Sequence, residues 1–90
     1  IVNISSRSAS YPNPGTGHYG AAKAALENLT RTMAAEWGHR GIRVNAVAPG
    51  VVMTDELAKT LNTPERIRRQ TDTVPLQRLG TPDDIGPLCA

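Results

Sequence analysis

The feature that most constrains this chain is an order of short apolar run, long helix and second apolar run within its first fifty residues. Ile1-Val2-Asn3-Ile4 is short and β-branched at three of its positions, the pattern of a strand buried on both faces. From His18 to Gly38 the chain carries Ala21, Ala22, Ala24, Ala25, Leu26, Leu29, Met33, Ala34 and Trp37, strong helix formers with a broad apolar surface. Gly38 and Gly41 bracket its stop, and Arg40 lies beside the negative helix end. Ile42-Arg43-Val44-Asn45-Ala46-Val47-Ala48 then alternates as a strand until Pro49-Gly50 ends it. Strand, helix, strand at this spacing predicts a βαβ unit with parallel strands and a right-handed crossover. Ser5-Ser6-Arg7-Ser8 and Val51 to Asp55 both leave their strands at the carboxyl edge, so both polar exits are expected at one crevice. In open α/β sheets that edge is where ligands bind.

The remaining stretches connect or cover. Tyr11 to Gly17 is a loop, since Pro12, Pro14, Gly15 and Gly17 exclude regular structure. Asp55 to Leu61 predicts a short helix, and Thr63-Pro64-Glu65 reads as a cap and first turn of another, through about Thr71. Val74-Pro75-Leu76 and Arg78-Leu79-Gly80 read as extended connection. Thr81-Pro82-Asp83-Asp84 opens a last helix, which Pro87 is expected to cap or kink. The fold class is therefore α/β: part of a doubly wound, Rossmann-like parallel sheet, one βαβ unit plus further helices.

Charge and composition exclude several functions. The net charge of +2 is slight. The basic cluster Arg66, Arg68, Arg69 is flanked by Glu65 and Asp72 and reads as a solvated helix face rather than a nucleic-acid surface. Two tyrosines, one tryptophan and no phenylalanine make no base-stacking platform. Cys89 stands alone, so there is neither an intramolecular disulfide nor a cysteine-rich metal site, which fits a reducing cytoplasm. No apolar run is long enough to span a membrane. The chain opens on Ile1 in mid-strand and stops on Ala90 in mid-helix, so it reads as a fragment of a longer chain.

Chemistry concentrates at Tyr19-Gly20-Ala21-Ala22-Lys23. Residues four apart share a helix face, so the phenol of Tyr19 and the ammonium of Lys23 are expected as neighbours. A phenol ordinarily keeps its proton until about pH 10, and a nearby cation favours the phenolate, which suits such a tyrosine to proton transfer. The spacing alone is a weak signal. Ser5, Ser8 and Ser10 read as plain turn chemistry, Asn45 as a structural strand asparagine, His18 as a solvent-side residue, and Met53 and Trp37 as packing.

Four stretches taken together, Ile1 to Ser6, Tyr19 to Ala25, Ile42 to Gly50 and Arg78 to Ile85, resemble in order the short-chain dehydrogenases/reductases of the classical type. The resemblance is to the C-terminal half of that family's single NAD(P)-binding Rossmann-like domain, with residues 54–79 as the variable substrate lid. It implies that Tyr19 is the catalytic acid/base, that Lys23 lowers its pKa and binds the nicotinamide ribose, and that Ser6, thirteen residues before Tyr19, polarises the substrate oxygen. By the same resemblance Tyr19, Lys23, Pro49, Gly50, Val52 and Thr54 are the cofactor-facing positions, with the Val52 backbone on the carboxamide and the Thr54 hydroxyl on carboxamide or phosphate. Thr54 also reads as a helix N-cap, a role that coexists with the first.

The implied activity is an NAD- or NADP-dependent interconversion of an alcohol and a carbonyl on a small molecule, in a homo-dimer or homo-tetramer joined through the His18 to Gly38 helix. The glycine-rich phosphate turn and the family's catalytic asparagine do not occur in these residues, since Gly15-Thr16-Gly17 follows a proline-rich loop rather than a strand. The chain alone is therefore expected to be inactive. Two other readings stand beside this one: a non-catalytic remnant or interaction module using the alanine-rich helix, and an NAD-using epimerase or dehydratase relative.

Overall fold

The computed structural model describes all residues, 1–90, as two compact units, Ile1–Pro49 and Gly50–Ala90. In the first, strand β1 (Val2–Ile4) lies parallel to β2 (Asn45–Val47), with Val2 opposite Asn45, Asn3 opposite Ala46 and Ile4 opposite Val47. Both strands are shorter than the runs that predict them. Pairing continues just before β2: Ile1 stands beside Val44, its ammonium donating to the Arg43 carbonyl at 2.7 Å and its carbonyl accepting the Asn45 N–H at 2.9 Å. Val44 packs inward, at 5% exposure. Beyond the paired residues the strands stay tied, because the Ser5 N–H donates to the Val47 carbonyl at 2.7 Å and the Arg7 N–H to the Pro49 carbonyl at 3.2 Å.

Helix α1 (Gly17–Trp37) starts one residue before the expected boundary and carries the alanine-rich run. A short 3-10 turn, Gly38–Arg40, follows it, and Gly41 closes the element at φ 77°, a conformation glycine adopts without strain. Thr30 is the one buried residue of α1, while Leu29 and Ala21, Ala22, Ala24 and Ala25 are exposed. The hydrogen bonds that tie α1 to β1 and its exit are made by polar side chains, Lys23, Glu27 and Thr30.

The second unit holds α2 (Asp55–Thr60), α3 (Pro64–Asp72) and α4 (Pro82–Cys89). Threonines begin all three, as the sequence predicts. The Leu57 N–H donates to Thr54 Oγ1 at 3.2 Å and the Arg66 N–H to Thr63 Oγ1 at 3.3 Å. At α4 the Thr81 N–H donates to Asp84 Oδ2 at 2.7 Å, one arm of a capping box. Arg78 grips the same carboxylate with both terminal nitrogens, at 2.9 and 3.1 Å. That fork, with the Thr81 N–H behind it, holds the Asp84 carboxyl well below the usual carboxylate range.

Three expectations for this unit are corrected. Val74-Pro75-Leu76 is not extended: Val74 N–H donates to Thr71 carbonyl at 3.0 Å and Gln77 N–H to Val74 carbonyl at 2.8 Å, a pair of tight turns. Gly80 does not merely connect; it forms an isolated parallel bridge with Val52. Of the two outcomes expected at Pro87, capping is the one overturned: α4 includes Pro87 and reaches Cys89. The proline has no N–H to give the Asp83 carbonyl, and Asp83 is exposed to water. Arg66, Arg68 and Arg69 are exposed on α3, with Arg69 3.4 Å from Glu65, in keeping with a solvated face. No helix is long and apolar enough to cross a membrane.

Candidate active site

Tyr19 and Lys23 occupy successive turns at the start of α1, and the Lys23 ammonium stands 5.6 Å from the centroid of the Tyr19 ring. The pairing expected from spacing is therefore present, as a cation over an aromatic face. A contact the spacing does not reveal holds the ammonium there: Lys23 Nζ donates to the Ile4 carbonyl at 2.8 Å. An ammonium has three hydrogens, so this tether leaves two for other partners. Tyr19 is open to solvent, at 44% exposure.

Ser6 follows β1 and caps the 3-10 turn Arg7–Ala9, its Oγ accepting the Ser8 N–H at 3.1 Å. A hydroxyl that accepts still has its own proton to donate, so Ser6 keeps one hydrogen bond for another oxygen. The turn after Ser6 packs closely on α1: a Cβ at Gly20 would fall 2.7 Å from the Ser8 carbonyl oxygen. Only a residue without a side chain lets the two backbones approach so nearly.

Ser5 is corrected. It is not simple turn chemistry: the side chain is 3% exposed and its Oγ donates to Glu27 Oε1 at 2.7 Å. Next to it, Asn3 Nδ2 donates to Thr30 Oγ1 at 3.0 Å, and the Thr30 hydroxyl donates to the Leu26 carbonyl at 2.7 Å. Lys23, Glu27 and Thr30 thus form a polar stripe on α1 that meets Ile4, Ser5 and Asn3 in turn. The signal was present as three polar residues at helical spacing in an alanine-rich helix, but the partner residues lie 19 to 27 positions away. Asn45, read as the structural asparagine, makes no such contact; Asn3 does. His18 is exposed, and Met53 and Trp37 are half-buried, in line with their packing role.

Pro49 belongs to the first unit through its carbonyl bond to Arg7, whereas Gly50, Val52 and Thr54 lie in the second. There they line an open groove of about 450 Å³ together with Val51, Glu56, Leu57 and Thr60. The bridge to Gly80 uses the Val51 carbonyl and the Met53 N–H, at 2.9 and 2.7 Å. By the alternation of a parallel ladder, the N–H and C=O of Val52 itself face the other way and remain unpaired. Thr54 spends an acceptor on α2 and keeps its hydroxyl proton, and nothing lies within 4 Å of where a Gly50 side chain would be.

A family model described as enoyl-(acyl carrier protein) reductase matches residues 1–90. Galactitol 2-dehydrogenase of Rhizobium johnstonii is 43% identical over 88 residues, covering 94% of this chain and 34% of that one. Among solved structures, a putative NAD(P)-dependent gluconate 5-dehydrogenase from Beutenbergia cavernae, with NADP bound at low occupancy, superposes with a TM-score of 0.87 at 39% identity, over 98% of this chain and 36% of that one. A 4-hydroxyisoleucine dehydrogenase complexed with NADH gives a TM-score of 0.92 at 35% identity, over 99% and 37%. The chain spans about a third of the length of the relatives it matches, which corrects the expected half, and the match does not set it at their C-terminal end.

Proposed function

The chain belongs to the short-chain dehydrogenase/reductase family, and from that premise we propose that the protein containing these residues is an NAD(P)-dependent oxidoreductase interconverting an alcohol and a carbonyl. The observation that carries the reading is the Lys23 ammonium beside the Tyr19 ring, tethered to the Ile4 carbonyl one residue before the Ser5-Ser6 exit. In the reductive direction the Ser6 hydroxyl donates a hydrogen bond to the substrate carbonyl oxygen. The Tyr19 phenol gives its proton to that oxygen as it becomes an alcohol, and the Lys23 ammonium stabilises the negative charge left on the phenol oxygen. Oxidation runs the same groups in reverse, with Tyr19 accepting the proton.

The bound nicotinamide supplies or accepts the hydride. Lys23 has hydrogens left for its ribose hydroxyls, and the unpaired Val52 backbone and the Thr54 hydroxyl suit its carboxamide. The open face at Gly50 gives backbone room to approach. Residues 54–79 are proposed to bound the substrate, and the exposed alanine-rich face of α1 to form a contact between copies. These residues alone are proposed to be inactive.

The test is Tyr19→Phe in the full-length protein, followed by nicotinamide absorbance against a panel of small alcohols and carbonyls. Turnover in the parent and its loss in a variant that still binds NADH or NADPH supports the reading. Undiminished turnover in Tyr19→Phe refutes it.

A further inference from the structure

We propose that Glu27 is a positioning residue for Ser6, acting through the buried hydroxyl of Ser5, so that one helix sets both the proton-transfer pair and the serine that meets the substrate oxygen. The proposal rests on the oxidoreductase reading above. Ser5 is held from two sides: its N–H donates to the Val47 carbonyl at 2.7 Å and its Oγ to Glu27 Oε1 at 2.7 Å. The residue before it is held by the same helix one turn earlier, where Lys23 Nζ takes the Ile4 carbonyl at 2.8 Å. The two residues that deliver the chain to Ser6 are therefore pinned to positions 23 and 27, on the face of α1 that also carries Tyr19.

Glu27 is oriented for this task rather than for its ion pair. Its side chain is 20% exposed, and its second oxygen lies 4.0 Å from Arg31, whose own side chain is 73% exposed. An exposed pair at that length holds little. The bond from Ser5, by contrast, is short and charge-assisted, with a buried donor. Without the carboxylate, the Ser5 hydroxyl is left with the Lys23 carbonyl at 3.5 Å, at the limit of a hydrogen bond. The buried hydroxyl then turns to find another partner, and Ser6, one peptide further on, moves with it. Ser6 has an extended backbone (φ −156°, ψ 154°), and its Oγ is already committed to the Ser8 N–H, so a shift of the strand end carries the hydroxyl along.

The experiment uses the full-length enzyme with Glu27→Ala, Glu27→Gln and Ser5→Ala. Misplacing a substrate-positioning group by an ångström lowers turnover by as much as about a hundredfold, so Glu27→Ala is expected to lower kcat about tenfold or more. KM for the nicotinamide cofactor should stay within about twofold, because Glu27 acts on the serine side. Glu27→Gln keeps an acceptor oxygen and should recover most of the rate. Ser5→Ala should reproduce the loss, and the double variant with Glu27→Ala should be no worse than either single one. Parent-like kcat in Glu27→Ala, equal losses in the alanine and glutamine variants, or additive losses in the double variant would each overturn the proposal.

Amide hydrogen exchange at Ser5 and Ser8, whose N–H groups donate to the Val47 carbonyl and Ser6 Oγ, reads the same positioning without turnover: it should quicken in Glu27→Ala and Ser5→Ala and stay parent-like in Glu27→Gln. Unchanged exchange in the alanine variants also overturns it. An inert parent, or an active Tyr19→Phe, refutes the oxidoreductase reading instead and leaves exchange to decide the positioning. If Glu27→Ala does not fold, Ser5→Ala and Glu27→Gln carry the test.

Discussion

Gly20 sits inside Tyr19-Gly20-Ala21-Ala22-Lys23, and its replacement by alanine sets two effects of known size against each other. Alanine in a helix interior is favoured over glycine by about 1 kcal/mol. Against this, the new Cβ would lie 2.7 Å from the Ser8 carbonyl oxygen, closer than real Cβ atoms come to any heavy atom. The obstacle is backbone, in a 3-10 turn whose neighbouring amides bond the Ser6 and Arg7 carbonyls at 3.0 and 3.1 Å, so it does not swing aside as a long side chain would. Forcing an extra carbon into such a contact costs about 1–3 kcal/mol. The clash wins, and a net loss of about 1 kcal/mol is expected for Gly20→Ala.

Gly38→Ala is the matched control: Gly38 is helical at φ −57°, ψ −39°, with nothing within 4 Å of the added carbon. It should gain up to about 1 kcal/mol. In a full-length protein of the relatives' size each kcal/mol moves Tm by roughly 2–4 °C, so the two variants should melt on opposite sides of the parent. Thermal unfolding followed by circular dichroism reads this directly, and kcat should fall with the displaced Ser6 turn only in Gly20→Ala. If Gly20→Ala melts at or above the parent while Gly38→Ala behaves as expected, the Ser8 turn yields freely and the close-approach argument is wrong.

Two further outcomes concern the second unit. Asp84, whose carboxyl is held below its ordinary range first by the Arg78 fork and then by the Thr81 N–H, contributes stability that is present above the unfolded carboxylate value, near pH 4, and is lost as pH falls through the lower folded value. Parent and Asp84→Asn should therefore differ in Tm at pH 7 and converge in acid; the gap is small because the two side chains are 55% and 37% exposed, and a gap that grows in acid contradicts the assignment. Gln77 adopts φ 54°, a left-handed conformation that disfavours a side chain, so Gln77→Gly should raise stability by up to about 1 kcal/mol in denaturant titration, and a loss would show that its side chain makes a contact of its own.

What the amino-acid order determined by itself is what depends on neighbours within one or two turns. The span of α1, the threonine caps of α2, α3 and α4 and the meeting of Tyr19 with Lys23 all follow from helical periodicity and capping chemistry, which act over three or four residues. The strand order and its parallel sense were legible too, because a long helix between two β-branched runs admits that arrangement above others.

Only the tertiary structure decided the rest. Which residues of the two strands stand opposite each other, Val2 with Asn45 through Ile4 with Val47, is set by the register and not by either run alone. That Ser5 is a buried donor, that Glu27 receives it, that Lys23 is tethered to Ile4 and that Val52 has a free backbone edge are facts about partners 18 or more positions apart. No local propensity encodes such pairs. A serine at a strand exit looks the same in sequence whether it faces water or a carboxylate, and the difference appears only when α1 lies across the end of β1 and closes the distance.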